Sequence, residues 1–288
     1  MAPTGAIPDH HTLCYTHVMR SFIILNKEVG QTPLDVVVGY KNSHPKYQSV
    51  PMAYAGRLDP MASGKLLILI GKECKQQEKY HKLDKEYRFE VLLGVSSDTA
   101  DVLGIINNNE TPLYQAKEIS EVLKKLTGNI TLPYPHYSSK TVAGKPLHTW
   151  TLEGRLSEII IPTRKSTIYK LKLNNLTTKS KDEIIETATT KIETIPKVTD
   201  ERKALGADFR RVDVRQSWQS FKEKPSQSKY QIATFTCIAS SGTYMRTLAE
   251  VIAKELDTTG LAFSIHREKI GQYQKLPFGF GYWKKQYK

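Results

Sequence analysis

The stretch Tyr54-Ala55-Gly56-Arg57-Leu58-Asp59-Pro60-Met61-Ala62-Ser63-Gly64 decides how this chain is read. It carries one carboxylate, Asp59, with Arg57 before it and Pro60 directly after it. Pro60 has no N–H and a fixed φ, and it drives the preceding residue out of the helical region. Gly56 and Gly64 bracket the turn and permit backbone angles or close approaches that a Cβ would block. Behind them runs Lys65-Leu66-Leu67-Ile68-Leu69-Ile70-Gly71, a short and nearly continuous apolar segment that predicts a buried strand. Asp59 is therefore expected on a stiff loop leading into the core, where a rigid scaffold can hold a reactive group. An Asp-Pro between glycines is more often only a turn. The rest of the chain has to separate the two readings.

At 288 residues the chain can bury a sizeable core, as one large domain or two smaller ones. Its 42 Lys and Arg outnumber 29 Asp and Glu, and the net charge of +13 points to a polyanionic partner, nucleic acid before a membrane surface. No apolar run is long enough to cross a bilayer, and no membrane association is expected. Cys14, Cys74 and Cys237 are scattered, which implies no disulfide framework and fits a reducing cytoplasm. Residues 1–20 lack the basic start and apolar centre of a secretory signal. Residues 1–18 are expected to form a disordered tail ahead of a catalytic domain at 19–288. His10, His11 and Cys14 in that tail are residue types that bind metal, but no metal or other cofactor is expected.

Outward from Asp59, Ser21-Phe22-Ile23-Ile24-Leu25-Asn26-Lys27 reads as a first strand, and Asp35-Val36-Val37-Val38-Gly39-Tyr40 opens a helix. Lys72, Lys75, Lys79, Lys82 and Lys85 recur at helical steps and predict one solvated helix flank. Asp84 to Gly94 alternates apolar and polar residues as a half-buried strand, then turns through Ser97-Asp98-Thr99-Ala100-Asp101. That turn lacks the further oxygen ligands calcium needs. A helix follows at residues 119–126. Residues 134–150 (Tyr134-Pro135-His136-Tyr137-Ser138-Ser139-Lys140 through Gly144-Lys145-Pro146-Leu147-His148-Thr149-Trp150) mix aromatics with bases in a loop suited to stacking on splayed nucleotides.

Residues 167–173 read as a strand. Residues 174–228 turn rich in Thr, Lys, Glu and Ser, which predicts an insertion whose first part is a loose surface excursion. Its second part, residues 208–221, reads as a basic helix carrying Arg210, Arg211 and Arg215. Either those arginines face RNA, or Phe209, Val212 and Trp218 pack down and leave them in solvent. Residues 230–238 alternate as a strand, and Ser240-Ser241-Gly242-Thr243-Tyr244-Met245-Arg246-Thr247-Leu248 then begins a helix buried along Leu248, Val251, Ile252 and Leu256. The free N–H groups at that helix start suit a phosphate; an ordinary helix cap would look the same.

Four of these segments, in order, resemble the TruB family of pseudouridine synthases. They are the Leu58-Asp59-Pro60 block, the Lys85-Glu86-Tyr87 strand with its Asp-Thr turn, the Tyr137-Ser138-Ser139-Lys140 and Gly144-Lys145-Pro146-Leu147 loop, with Ser139 where the family carries Ala, and Ser241-Gly242-Thr243-Tyr244-Met245-Arg246-Thr247-Leu248. Lys27-Glu28-Val29-Gly30 matches the family's opening Lys-Pro-x-Gly without its proline. The resemblance implies an α/β fold, in the broader α+β sense, around a central, largely antiparallel mixed sheet flanked by helices. It implies an isomerase that breaks the uridine glycosidic bond, turns the uracil and rejoins it through C5. Asp59 is then the essential carboxylate, Arg246 the guanidinium that orients it, and Tyr87 the ring beneath the flipped base.

On the same basis Tyr54, Arg57, Lys27, Lys140, Lys145, Ser241 and Thr243 are expected to meet RNA, with Arg210, Arg211 and Arg215 added from the basic helix. Residues 134–150 become a thumb. Tyr54 stands where the family carries His and Arg57 where it carries a small residue. The Gly-Arg-Leu-Asp form resembles synthases that act on ribosomal RNA. The expected substrate is the T-loop uridine of tRNA, position 55, bound through the T arm by a cytoplasmic monomer with no obligatory protein partner and no C-terminal PUA-type domain. The competing readings are a synthase for a ribosomal-type target and a non-catalytic RNA chaperone. The last would need no Asp59–Arg246 pair.

Overall fold

Strand pairing grows from the apolar run behind Asp59. The computed structural model describes residues 20–197 and 210–288. The tail at 1–18, with His10, His11 and Cys14, lies outside the described residues, as do Asp208 and Phe209. The chain begins β1 (Phe22–Lys27), α1 (Pro33–Ser43), β2 (Met52–Tyr54), β3 (Ala62–Ile70), α2 (Gln77–His81) and β4 (Asp84–Leu93). It continues β5 (Val95–Ser97), β6 (Ile106–Asn108), α3 (Ala116–Lys125), β7 (Gly128–Pro133), β8 (Thr141–Val142), β9 (Lys145–Pro146) and α4 (Leu147–Leu152). Then come β10 (Thr163–Ser180), α5 (Lys181–Glu193), α6 (Arg211–Glu223), β11 (Lys229–Ala239), α7 (Met245–Lys254), β12 (Gly260–Lys275) and β13 (Gly281–Tyr287).

Among the described residues nine strands form one sheet in the order β1-β3-β12-β4-β11-β10-β7, with β2 beside β3 and β13 beside β12. Every pair of named strands in it is antiparallel except β3 with β12. This is the α/β class with a largely antiparallel mixed sheet that the sequence predicts. The run of β3 has no polar alternation because both of its faces are buried. Leu66, Ile68 and Ile70 pack with Val36 and Val37 of α1, while Leu67 and Leu69 pack with Tyr80, Ile270 and Tyr287. The main core joins Phe89 and Val91 of β4, Phe235 of β11, and Leu248 and Ile252 of α7.

α1 starts where Pro33 takes the first helical turn. Thr32 accepts from the Asp35 N–H at 3.2 Å and the Asp35 carboxylate accepts from the Thr32 N–H at 2.7 Å, so two otherwise orphan donors are satisfied.

Two expectations fail here. The first part of residues 174–228 is not a loose excursion. β10 runs on to Ser180, and α5 is opened by a Ser180–Glu183 capping box and buries Ile184, Ile185, Ala188 and Ile192 in the main core. Those four apolar residues keep helical spacing inside a polar composition, so burial of one face outweighs the segment's mean polarity. The lysine flank is not one helix either. Gly71 to Gln76 forms 3₁₀ turns, α2 is short, and Lys85 lies buried in β4.

Candidate active site

Asp59 hangs between β2 and β3, on a loop fastened through its backbone. Gly30 N–H donates to Pro60 O at 2.9 Å, and Ala62 N–H turns back to Asp59 O at 2.9 Å. Gly64 has φ +107°, and a Cβ there would stand 2.4 Å from the Arg267 carbonyl oxygen, so only glycine lets β12 approach this closely. The first turn of α7 delivers Arg246, whose Nε donates to Asp59 Oδ2 at 2.8 Å. Its Nη1 donates to Thr99 O at 2.8 Å and its Nη2 to Tyr137 O at 3.3 Å. One guanidinium thus ties the aspartate loop, the turn after β5 and the 134–150 segment together.

A second carboxylate, Asp101, lies 3.7 Å from Arg246 Nε. Asp101 accepts from Thr99 Oγ1 at 2.7 Å and Leu103 N–H at 2.9 Å. Burial pushes its pKa up against the pull of Arg246. Burial also works against the charge of Arg246, but Asp59 and Asp101 outweigh it and hold the guanidinium's pKa above its ordinary value.

These groups open onto a cavity of about 660 Å³, a size suited to a flipped nucleoside. Tyr87 lines it from β4, with Arg57, Leu58, Ile265 and Arg267 around the Asp59 loop, and Ser241, Thr243 and Tyr244 at the α7 start. Burial raises the Tyr87 pKa, while the Arg267 guanidinium opposes that rise. Ser241 Oγ donates to His81 O and receives Lys85 Nζ at 3.3 Å. Thr243 Oγ1 donates to Ser240 O at 2.9 Å. Burial drives the Lys85 pKa down to about 7.

The 134–150 segment lines the same cavity through Tyr137, Ser138, Ser139 and His148. Its lysines already have aromatic or acidic company. Lys140 lies 5.5 Å from the Tyr134 ring, and Lys145 lies 5.1 Å from the Trp150 ring and pairs with Glu153 at 2.9 Å. On the other rim, Arg210 pairs with Asp98 and stacks 4.6 Å from the Tyr137 ring, and Arg211 donates to Ile195 O. Arg210 and Arg211 both line the cavity, whereas Arg215 forks onto Glu193 at 2.6 and 2.8 Å. Neither sequence reading of α6 holds entire. Trp218 packs down with Val214 and Phe221, Val212 is 65% exposed, and the arginines are engaged within the chain.

Two predicted RNA contacts are corrected. Lys27 is fully buried and donates to Ala62 O at 2.6 Å, Glu28 O at 3.0 Å and Pro60 O at 3.4 Å, so it anchors the Asp59 loop from behind and cannot reach RNA. Tyr54 does not line the cavity. The alternation of β2 sends its ring to the cluster of Ile23, Val36 and Leu66. Burial lowers the Lys27 pKa to about 8. A lysine depressed in the fold costs stability while it is charged, so this cost fades as pH rises through about 8. Lys27→Met is expected to lower the melting temperature by several degrees, roughly 1–3 kcal/mol for stranded carbonyls, and to leave RNA affinity of the folded protein unchanged. A fluorescence binding titration beside a thermal melt checks both. Loss of affinity without loss of stability would return Lys27 to the RNA surface.

Arg267, Asp101 and Lys85 were not singled out from sequence as parts of the site. Lys85 and Asp101 stand in the Lys85-Glu86-Tyr87 strand and its Asp-Thr turn, but nothing in that motif announces a site role for them, and the partners of Arg267 are backbone carbonyls far away in sequence.

The fold itself is shared with known proteins. The chain superposes on a chain of the Cbf5-Nop10-Gar1 complex with a TM-score of 0.50 and 16% identity, covering 87% of this chain and 48% of that one. The sequence matches the TruB family pseudouridylate synthase N-terminal domain over residues 46–195. It is 32% identical over 255 residues to tRNA pseudouridine synthase B of Borreliella burgdorferi, covering 88% of this chain and 71% of that protein. The relative of the same name in Caldicellulosiruptor saccharolyticus is 28% identical over 88% of this chain and 69% of its own length. Saccharomyces cerevisiae tRNA pseudouridine synthase 4 is 30% identical over 182 residues, 59% of this chain and 45% of that one. A pseudouridine synthase fold with a carboxylate–guanidinium pair in a nucleoside-sized pocket defines the class, an isomerase of uridine in RNA. Within it, the chain belongs to the TruB family.

Proposed function

We propose that the chain converts the T-loop uridine of tRNA, position 55, to pseudouridine. The observation that carries the reading is the Asp59–Arg246 pair at 2.8 Å inside the cavity that Tyr87 lines. The isomerisation breaks the C1′–N1 bond and makes a C1′–C5 bond, and the C5 proton leaves as N1 gains one. Atoms and electrons balance within the nucleotide, so no cofactor is called for. Asp59 engages the ribose, either at C1′ or at a ribose proton. Arg246 fixes its orientation, and Tyr87 supports the turned base.

The net charge of +13 supplies the attraction to RNA. The chain acts as a monomer in the cytoplasm on the T arm, which Arg57, Lys140, Lys145, Ser241 and Thr243 meet around the cavity and thumb. Among the described residues no helix is long and apolar enough to cross a membrane. Mapping pseudouridine by position in an unmodified tRNA transcript tests the reading. Modification is expected at uridine 55 and nowhere else in the transcript. Modification of a ribosomal RNA fragment in its place would favour the other target class, and an unchanged transcript would favour a chaperone.

Arg210 and Arg211 add two cations at the cavity rim. Replacing both with Ala is expected to weaken tRNA binding and to lower the slope of log K against log salt by up to about two phosphate contacts. Arg215→Ala, which breaks a pair with Glu193, is expected to leave that slope unchanged. Equal slopes for all three proteins would confine α6 to packing.

A further inference from the structure

We propose that Arg267 is a positioning residue that couples Tyr87 to the Asp59 loop. The inference rests on the pseudouridine synthase reading above and adds a residue to its machinery. β12 lies between β3 and β4, and Arg267 stands where it faces both. Arg267 is in register with Gly64 of β3 on one side and with Tyr87 of β4 on the other. The side chain is 1% exposed and lies at the cavity wall. Its Nε donates to Lys65 O at 2.7 Å and its Nη1 to Arg57 O at 3.1 Å. Those two carbonyls flank Asp59, one on each side, so a single planar fork fixes the span of the loop that presents the carboxylate.

The third corner, Nη2, is buried and has no hydrogen-bond partner among the described residues. A guanidinium held by two corners leaves the last one aimed, and a buried donor without a partner is costly to keep. Tyr87 stands opposite Arg267 across the β12–β4 pairing, and the guanidinium holds its hydroxyl below the pKa that burial alone would set. Gly64 completes the device, because a side chain there would push β12, and Arg267 with it, off the loop. Lysine cannot replace this arrangement. An ammonium has no rigid fork to span two carbonyls while facing a third group.

The test uses the full chain with Arg267→Lys and Arg267→Met. Three measurements are made: amide hydrogen exchange of residues 57–65, the tyrosine ring-carbon signal of Tyr87 by NMR, and the single-turnover rate on tRNA. The NMR signal is assigned by its disappearance in Tyr87→Phe. Both Arg267 variants are expected to exchange faster at residues 57–65 and to move the Tyr87 signal, with its titration midpoint shifted upward in Arg267→Met. The rate is expected to fall about tenfold or more at unchanged tRNA affinity. Parent-like exchange in the loop, or a Tyr87 signal that stays in place, overturns the proposal. Neither of these readouts depends on turnover, so a parent protein that makes no pseudouridine would sink the functional reading and leave Arg267 to be judged separately. Should Arg267→Met fold poorly, Arg267→Lys carries both readouts.

Discussion

Asp59→Asn is expected to abolish pseudouridine formation, by at least about 10⁴-fold in single-turnover rate, while the protein stays folded and holds tRNA as before. The substitution keeps the side chain's volume and leaves a carbonyl oxygen for Arg246 Nε, which now donates to Asp59 Oδ2 at 2.8 Å. The loop does not depend on the carboxylate for its shape. Lys27 holds Pro60 O and Ala62 O, Arg267 holds Arg57 O and Lys65 O, and Gly30 holds Pro60 O again. What disappears is the anionic oxygen, and an amide can neither attack an anomeric carbon nor take a proton from the ribose. The measurement is pseudouridine per tRNA against time, beside a filter-binding isotherm and a thermal melt. A variant that modifies tRNA within tenfold of the parent rate would remove Asp59 from the chemistry. A variant that fails to bind would show that the carboxylate shapes the RNA surface.

The Asp59–Arg246 contact was legible because each half lies in its own dense local motif. Asp59 and Arg246 stand 187 positions apart, and only the fold brings them together. The elements that carry them were legible for simpler reasons. β3 is a bare apolar run, β4 and β11 alternate, and α7 repeats its apolar face. α5 was equally periodic through Ile184, Ile185, Ala188 and Ile192, but its Thr, Lys and Glu set the average and hid the stripe.

Side-chain direction was harder to read than element type. Lys27 carries the charge expected of an RNA contact, yet its place in β1 turns it inward under the loop. Tyr54 is aromatic and sits next to the motif, but strand parity aims it at α1. Residue type suggests a role, and the pairing of strands decides whether the side chain can perform it. Arg267 shows the converse. Its partners are the carbonyls of Arg57 and Lys65, and backbone groups leave no mark in a sequence.

Arg246→Met is expected to cost the largest share of stability of any single change at the site, about 3–5 kcal/mol, and to remove activity with it. The guanidinium is almost fully buried and lies between Asp59 and Asp101, and it also caps Thr99 O and Tyr137 O. Methionine fills much of the space but leaves Asp101, itself buried, without the cation that offsets its burial. The sign of the pH dependence follows. Asp101 has a pKa raised by burial and pulled down by Arg246. Without Arg246 it rises further above its unfolded value. A carboxyl raised in the fold binds its proton more tightly there than in the unfolded chain, so the fold gains as pH falls and loses as pH rises through that pKa. The stability gap between Arg246→Met and the parent is therefore expected to narrow on acidification from neutral pH, and adding Asp101→Asn to Arg246→Met is expected to close part of it at neutral pH. Urea titrations at several pH values measure the gap. A gap that is constant or widens toward acid would mean that Arg246 stabilises through its packing and its two carbonyl contacts, with Asp101 indifferent to its loss.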